Sequence, residues 1–163
     1  MTNKALIAMS GGVDSSVAAF LTKDMGYDAT GITLKLFDNE DIGEKREKTC
    51  CSLDDIDDAR RVCLKLGIPY YVYNFKDSFK ENVIDRFIRA YENGTTPNPC
   101  IDCNRFIKFE KLIRRAEELD FDCVVTGHYS TIEYDKGADR YLLKKSVDST
   151  NQNSFFIIIC LCF

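Results

Sequence analysis

The sequence is poor in several features that mark particular protein classes. Its 163 residues include three prolines and nine glycines, too few for a collagen-like or a proline-rich disordered chain. Acidic residues outnumber basic ones by 26 to 22, which gives a net charge of −4. This excludes a generally basic nucleic-acid binder, although not a local basic face. The longest apolar run, Phe155 to Phe163, has nine residues, whereas a membrane-spanning helix needs roughly 20.

A secretory signal is also missing, because the opening residues MTNKALIAMSGG lack the basic segment, long apolar stretch and cleavage site of such a leader. We therefore expect a cytoplasmic protein, and the chain length suits one domain. With 45% apolar and 29% charged residues the composition is that of a folded globular protein. Its eight cysteines are too dilute for a disulfide scaffold. Cys63 and Cys123 lie in apolar contexts and are interpreted as buried core residues.

Predicted strands and helices alternate along the chain. Apolar periodicity predicts strands at residues 4–9, 28–36, 69–75 and 122–126, and helices beginning at Asp14, Ser52 and Asp77 and spanning residues 105–119. Residues 37–51 and 95–104 are predicted loops, and residues 130–145 an antiparallel hairpin turning near Lys136. This order predicts an α/β fold with an open, mostly parallel sheet and helices on both faces, followed by a short hairpin near the C-terminus.

The segment Ser10-Gly11-Gly12-Val13-Asp14-Ser15-Ser16 joins the first predicted strand to the first helix. Backbone N–H groups at such a turn can converge on a phosphate. The serines offer hydroxyl donors, and Asp14 can hold Mg²⁺ or cap the helix. A lysine of the P-loop type is missing, which argues against transfer of a γ-phosphate. The alternative is a tight structural turn that needs glycine, with Asp14 as an ordinary cap.

Two further segments carry candidate chemistry. Cys100 and Cys103 form a CxxC pair that can bind metal, exchange disulfides or carry sulfur. Lys108 and Arg105 on the following basic helix, together with its dipole, would stabilise a thiolate. A zinc ribbon lacks its second spaced pair, since Cys50 and Cys51 are adjacent, and two buried structural thiols are the simpler alternative. The single histidine, His128, follows the fourth strand, where ligands gather in open α/β sheets, although a structural role is also open.

The turn SGGVDSS resembles the PP-loop of ATP pyrophosphatases, which cleave ATP between its α and β phosphates. GITLKLF on the second strand, TPNPCIDCNRFIKF before the basic helix and TGHYS after the fourth strand follow in the order found in tRNA-specific 2-thiouridylases. The resemblance covers residues 4 to about 148. It implies a PP-loop ATP-binding domain at residues 1–148 and a divergent apolar tail at 149–163, with the family's central and C-terminal domains absent. Such a tail is expected to be a truncated end or an aggregation hazard.

The resemblance implies ATP- and Mg²⁺-dependent 2-thiolation of the wobble uridine of tRNA, through adenylation of the C2 oxygen and displacement of AMP by sulfur. The sulfur would come from a persulfide on the catalytic Cys103, or from a cluster-bound sulfide, and a cysteine desulfurase or sulfur carrier would be the donor. In the family a second cysteine farther along the chain closes a disulfide with this thiol. The expected tRNA-contacting residues are Asn98, Pro99 and Cys100 at the target base and His128. The expected ATP-contacting residues are Ala8, Met9, Ser10, Gly11, Gly12, Val13, the catalytic Asp14, Ser15, Leu34 and Gly127.

Two features depart from the family pattern. Many members have Asp where Cys100 stands, and the CxxC version resembles members proposed to hold a [4Fe–4S] cluster on three cysteines, of which Cys100 and Cys103 would be two. The family segment DSxKDQSYFL aligns with residues 148–157, where Asn151, Gln152 and Asn153 replace the lysine, aspartate and glutamine that contact tRNA. The sequence therefore also allows an ATP-binding module without complete thiolation activity, or a metal-bound structural domain.

Overall fold

The computed structural model describes residues 3–37, 53–128, 130–145, 157–158 and 161–162. The helices in these ranges are α1 (Val13–Asp24), α2 (Leu53–Leu66), α3 (residues 76–92) and α4 (residues 99–118). The strands are β1 (Lys4–Ala8), β2 (Asp28–Lys35), β3 (Tyr70–Asn74), β4 (Cys123–Val125), β5 (Gly127–His128), β6 (Ser130–Asp135), β7 (Arg140–Lys145), β8 (Ile157–Ile158) and β9 (Leu161–Cys162). None of the helices in the described ranges is both long and apolar enough to cross a membrane.

The main sheet has the strand order β3-β2-β1-β4-β9. Its first four strands are parallel, and Ala5 of β1 lies opposite Ala29 of β2 and Cys123 of β4. The chain moves outward from β1 to β2 and β3 and then crosses to the other side of β1 to form β4. The strand order therefore reverses between β1 and β4. The predicted open, mostly parallel sheet is confirmed, and so is the hairpin, in which β6 and β7 pair antiparallel.

Side chains on β1 alternate between two cores. Ala5 and Ile7 pack with Ala18 and Ala19 of α1 and with residues of α2, whereas Leu6 packs on the opposite face with residues of α3 and α4. This two-residue period is that of a strand whose side chains point to opposite faces of the sheet. Because both faces of β1 are covered by helices, the strand is an apolar run rather than an alternating one, as in other buried parallel sheets.

The two cysteines predicted to belong to the core lie there. Cys63 on α2 and Cys123 on β4 are both 0% exposed and pack in the same core cluster, which confirms the prediction. Burial raises the pKa of the Cys63 thiol to about 11, because a thiolate would lose its hydration there. Cys63 is therefore a structural residue rather than a reactive one.

The prediction of a loop over residues 95–104 is wrong from Pro99 onward, where α4 begins. The Asn98 side chain accepts the Cys100 N–H at 3.1 Å, and Pro99 occupies the first helical position. An asparagine cap followed by proline favours a helix start, because proline's fixed φ suits that position and its missing N–H has no helical acceptor. Cys100 and Cys103 therefore lie in the first turns of a helix, which continues to Glu118.

Both long helices on the second face contain π-helical stretches, which the apolar periodicity did not indicate. They span Lys80–Ile84 of α3 and Cys103–Lys111 of α4. In a π-helix the backbone hydrogen bonds join residues five apart instead of four. In α4 this brings Ile107 and Leu112, which are five positions apart and both 0% exposed, into the same core cluster.

Two other predictions are only partly covered by the described residues. The predicted polar loop lies outside them except for Phe37, as does the expected cap Ser52 of α2. In the expected tail, Leu161–Cys162 pairs antiparallel with β4, and Ile157–Ile158 pairs with Gly127–His128. Leu161–Cys162 therefore extends the main sheet, whereas Ile157–Ile158 forms a separate two-stranded sheet with β5. The three substituted positions at residues 151–153 lie outside the described part of the chain.

Candidate functional site

The glycine turn between β1 and α1 is held together by its own serines. The Ser15 hydroxyl donates to the Gly12 carbonyl at 3.0 Å and accepts the Ser10 N–H at 3.2 Å. The Ser16 hydroxyl donates to the same carbonyl at 2.8 Å. In this structure the hydroxyl protons of Ser15 and Ser16 therefore stabilise the turn.

The first turn of α1 is clamped by two close backbone contacts. A Cβ on Gly11, which has φ +79°, would lie 2.5 Å from the Asp55 carbonyl oxygen of α2. A Cβ on Gly127 would lie 2.7 Å from the Ser15 backbone nitrogen. Only glycine allows approaches this close without a shift of the backbone. The turn and the start of α1 are thus fixed between α2 and β5.

This clamped turn presents the positive end of a helix. The first intrahelical bond runs from the Ser16 N–H to the Gly12 carbonyl at 3.2 Å. The N–H groups of the preceding helical residues, Val13 to Ser15, have no carbonyl acceptor within the helix. Together with the aligned peptide dipoles they favour an anion at this end of α1.

A pocket of about 220 Å³ opens beside the turn. It lies at the carboxyl ends of β1 and β4, where the strand order reverses, which is the usual position of ligand sites in open α/β sheets. Alternate residues of β2 and its continuation form its apolar side. Its lining residues are Ala8, Met9, Ser10, Asp14, Ser15, Ile32, Leu34, Leu36, Lys108, Thr126, Gly127 and His128.

Most of the residues expected to contact ATP meet at this pocket. Gly11, Gly12 and Val13 form the adjacent turn without lining it, and the Val13 side chain is 75% exposed. Four lining residues were not predicted as site residues, namely Ile32, Leu36, Thr126 and Lys108. The two-residue spacing of Ile32, Leu34 and Leu36 could have indicated a common face, whereas no local signal places Lys108 near the glycine turn.

His128 is a neutral, half-buried side chain in the pocket wall. Its Nδ1 lies 2.8 Å from the Thr126 hydroxyl, and its ring centroid is 5.6 Å from that of Phe109. Burial, and then the positive charge of Lys108, lower the pKa of His128 below its usual value. The imidazole is therefore uncharged at neutral pH, which suits hydrogen bonding better than attraction of a phosphate.

The CxxC pair lies at the same edge of the sheet but outside the pocket lining. Since α4 leads directly back into β4 and the two pack together, the start of α4 lies at the carboxyl edge of the strands, as in other crossover helices. Cys100 is exposed and Cys103 is half-buried. Cys103 packs against the core cluster that contains Leu34 and Leu36, two residues that also line the pocket.

The described residues do not complete a metal site or a disulfide. Among them, no group of three or more histidine, cysteine or acidic side chains is arranged to hold a metal ion. Cys100 and Cys103 would supply two of the three thiolates expected for a [4Fe–4S] cluster, and the third would have to come from outside the described residues. The cysteines described on α2, α4 and β4 form no disulfide with one another. Cys50, Cys51 and Cys160 lie outside the described ranges.

The predicted basic face of α4 is partly neutralised. Toward its end, Arg114 pairs with Glu110 at 3.2 Å, and exposed pairs of this kind leave little net charge. Near its start, the Arg86 and Arg105 guanidinium carbons lie 4.8 and 5.2 Å from the Phe106 ring centroid. Arg86, which belongs to α3, also pairs with Asp102 between the two cysteines at 3.4 Å, so the positive charge near the start of α4 is partly compensated as well.

Comparison with known proteins supports a specific family. The model of the tRNA methyl transferase HUP domain matches residues 3–160. A tRNA-specific 2-thiouridylase MnmA from Clostridium beijerinckii is 54% identical over 95% of this chain, and one from Clostridioides difficile is 53% identical over the same share. The chain spans 43% of the length of each of these relatives.

Solved structures support the fold. The crystal structure of a predicted tRNA methyltransferase subunit from Methanocaldococcus jannaschii superposes with a TM-score of 0.50 at 19% identity, covering 79% of this chain and 54% of that one. The overall fold is thus shared with a distant protein, while the sequence match is far more specific. The chain belongs to the tRNA methyl transferase HUP domain family and, within it, groups with proteins named tRNA-specific 2-thiouridylases.

Proposed function

We propose that this chain carries out the ATP-dependent activation step in 2-thiolation of the wobble uridine of tRNA. The observation that carries the proposal is the opening of the glycine turn and the positive end of α1 into the pocket between β1 and β4. The names of the relatives supply the substrate class. Because the chain corresponds to less than half of their length, the complete reaction is part of the proposal.

ATP fits the chemistry of the pocket in two parts. The apolar side formed by Ile32, Leu34 and Leu36 suits the adenine ring, because apolar walls favour burial of a flat heterocycle. The N–H groups at the start of α1 suit the phosphates. Asp14, the one acidic residue of the described lining, would hold the Mg²⁺ that shields the negative charge of the leaving pyrophosphate.

The activation step joins the base to the nucleotide. The C2 oxygen of uridine attacks the α-phosphorus, the bond from that phosphorus to the pyrophosphate oxygen breaks, and the base loses its N3 proton. The backbone N–H groups of the turn stabilise the charge that develops on the phosphate oxygens. The product is a uridine whose former carbonyl oxygen has become part of a good leaving group.

The second step transfers sulfur, for which Cys103 is the proposed carrier. The outer sulfur of a Cys103 persulfide attacks C2, and AMP leaves with the original oxygen. A second thiol then attacks the Cys103 sulfur, so that the sulfur–sulfur bond breaks, the thiocarbonyl remains on the base and a protein disulfide forms. The position of Cys103 at the edge of the sheet that bears the glycine turn supports this role.

The remaining assignments follow from the same reaction. We infer that Asn98, Pro99 and Cys100, at the exposed start of α4, meet the target base and that His128 contacts the tRNA. We place the reaction in the cytoplasm, with a cysteine desulfurase or a sulfur carrier as the donor. The alternative source of sulfur is a [4Fe–4S] cluster on Cys100, Cys103 and a third cysteine.

A second candidate function is an ATP-binding module that does not thiolate by itself. The observation that favours it is that Asn151, Gln152 and Asn153 replace the three expected tRNA-contacting residues. Such a module would bind MgATP but would need another polypeptide for sulfur transfer.

Single-turnover reactions of the full chain with tRNA, MgATP and a cysteine desulfurase that carries a persulfide separate the two functions. We expect pyrophosphate and thiouridine from the unaltered chain, and neither from Asp14→Ala. Asp24→Ala, at the exposed far end of α1, is the matched control and should keep both products. Cys103→Ser should keep pyrophosphate release but form no thiouridine.

Bound ATP without either product would support the binding module instead. No affinity of the folded chain for MgATP would overturn both functions. Equal loss of pyrophosphate and thiouridine in Cys103→Ser would contradict the proposed division between adenylation and sulfur transfer.

A further inference from the structure

The positive charge missing from the glycine turn is present elsewhere in the pocket. The segment Ser10 to Ser16 contains no lysine or arginine. Lys108 lines the pocket from α4 and is the one cationic side chain among the lining residues that the structure describes. No described residue forms a salt bridge with it. A lysine side chain that lines a pocket and forms no ion pair with a described residue favours an anionic ligand there, because opposite charges attract.

The π-helical stretch of α4 explains how Lys108 reaches the pocket. In an α-helix, residues five apart point about 140° away from each other. Hydrogen bonding between residues five apart instead places such side chains close to one face. Cys103 and Lys108, five positions apart, both lie within the stretch Cys103–Lys111. One packs against the core beneath the pocket and the other lines the pocket itself.

A second observation indicates that the Lys108 charge acts inside the pocket. His128, on the opposite element β5, lines the same pocket, and the charge of Lys108 contributes to lowering the pKa of its imidazole. The ammonium group is therefore within electrostatic range of the carboxyl end of β4. The start of α1 packs against β5 at that point, as the contact of Gly127 with Ser15 shows.

We propose that Lys108 is a catalytic residue that binds the α-phosphate of ATP from the side opposite α1. This rests on the proposed function and deepens it. As the uridine oxygen bonds to the α-phosphorus and the bond to pyrophosphate breaks, negative charge grows on the two non-bridging α-phosphate oxygens. The Lys108 ammonium stabilises this charge without giving up a proton. The same contact then stabilises AMP as it leaves when sulfur attacks the base.

Calorimetric titration of the full chain with adenosine, AMP and MgATP tests the assignment. Loss of one charge-assisted contact in Lys108→Gln should weaken the binding of AMP and MgATP by about ten- to a hundredfold and change the affinity for adenosine by less than about twofold. Lys111→Gln is the matched control, because Lys111 lies on the same helix but does not line the pocket. It should leave all three affinities unchanged, and Lys108→Arg should retain most of the affinity for AMP.

Each outcome decides between the alternatives. Unchanged affinity for AMP in Lys108→Gln, or an equal loss in Lys111→Gln, would overturn the role of Lys108 while leaving ATP binding intact. A parallel loss of affinity for adenosine would show that Lys108 only maintains the shape of the pocket, which would also overturn its role in phosphate binding. If the unaltered chain binds none of the three ligands, the proposed function fails first. Pyrophosphate release at saturating MgATP should fall about a hundredfold in Lys108→Gln.

Discussion

Gly127 is the position where one added methyl group should most directly link folding to nucleotide binding. In Gly127→Ala the new Cβ would lie 2.7 Å from both the Asp14 carbonyl carbon and the Ser15 nitrogen. These are backbone atoms in the first turn of α1, so neither can rotate away. Either β5 or the start of α1 must shift. Overpacking of this kind costs about 1–3 kcal/mol of the free energy of unfolding.

The expected effects follow from that shift. For a chain of this size each kcal/mol lowers the melting temperature by about 2–4 °C, so Gly127→Ala should melt about 2–12 °C lower. Misalignment of one N–H donor to a charged phosphate should also weaken MgATP binding by about ten- to a hundredfold. Circular dichroism melting and calorimetric titration measure the two effects.

The control is Gly137→Ala in the hairpin turn, where the nearest atom is the end of the Asp135 side chain at 3.3 Å. It should change neither the melting temperature nor the affinity for MgATP. A Gly127→Ala protein that melts like the unaltered chain and binds MgATP equally well would refute the reasoning that this contact holds the start of α1 in place.

Three other predictions concern α4 and the titrating side chains. Asn98→Ala removes the cap of α4 and should lower the free energy of unfolding by about 1 kcal/mol in thermal melts. Asn98→Asp keeps a hydrogen-bond acceptor at this position and should be as stable as the unaltered chain. An equal loss of stability in both variants would contradict the capping role of Asn98. In mass spectrometry after brief alkylation at pH 8, exposed Cys100 should react first. Cys63, whose pKa is raised to about 11, should react only after denaturation, and early labelling would contradict its burial. Burial and the charge of Lys108 lower the pKa of His128 in the folded chain. The neutral imidazole therefore contributes to the free energy of unfolding at pH values above the pKa of about 6.5 in the unfolded chain. This contribution is lost as the pH falls through the lower pKa of the folded chain. NMR titration of this single histidine should show a midpoint below 6.5 that Lys108→Gln raises only in part; no change would remove Lys108 as a cause.

The local sequence pattern predicted most helices and strands, because the formation of each depends on residues that are neighbours in the chain. The buried apolar run of β1, the glycine turn and the amphipathic faces of α2 and α3 are visible in the sequence, and the structure confirms the sheet they imply. The start of α4 was also encoded locally, in Asn98 and Pro99, but the prolines were interpreted as marks of a loop. The π-helical stretch differs, because it depends on how α4 packs against the sheet and α3.

The sequence by itself determined the open α/β fold, the glycine turn at residues 10–16 and the cysteine pair next to a basic helix, since each is specified by residues close together in the chain. Only the tertiary structure decided which distant side chains meet that turn. Lys108 lies more than 90 positions from Asp14, and the crossover from β3 to β4, together with the π-helical turn of α4, places both at one pocket. Short-range periodicity carries no information about such a meeting, because it arises from the packing of whole elements against the sheet.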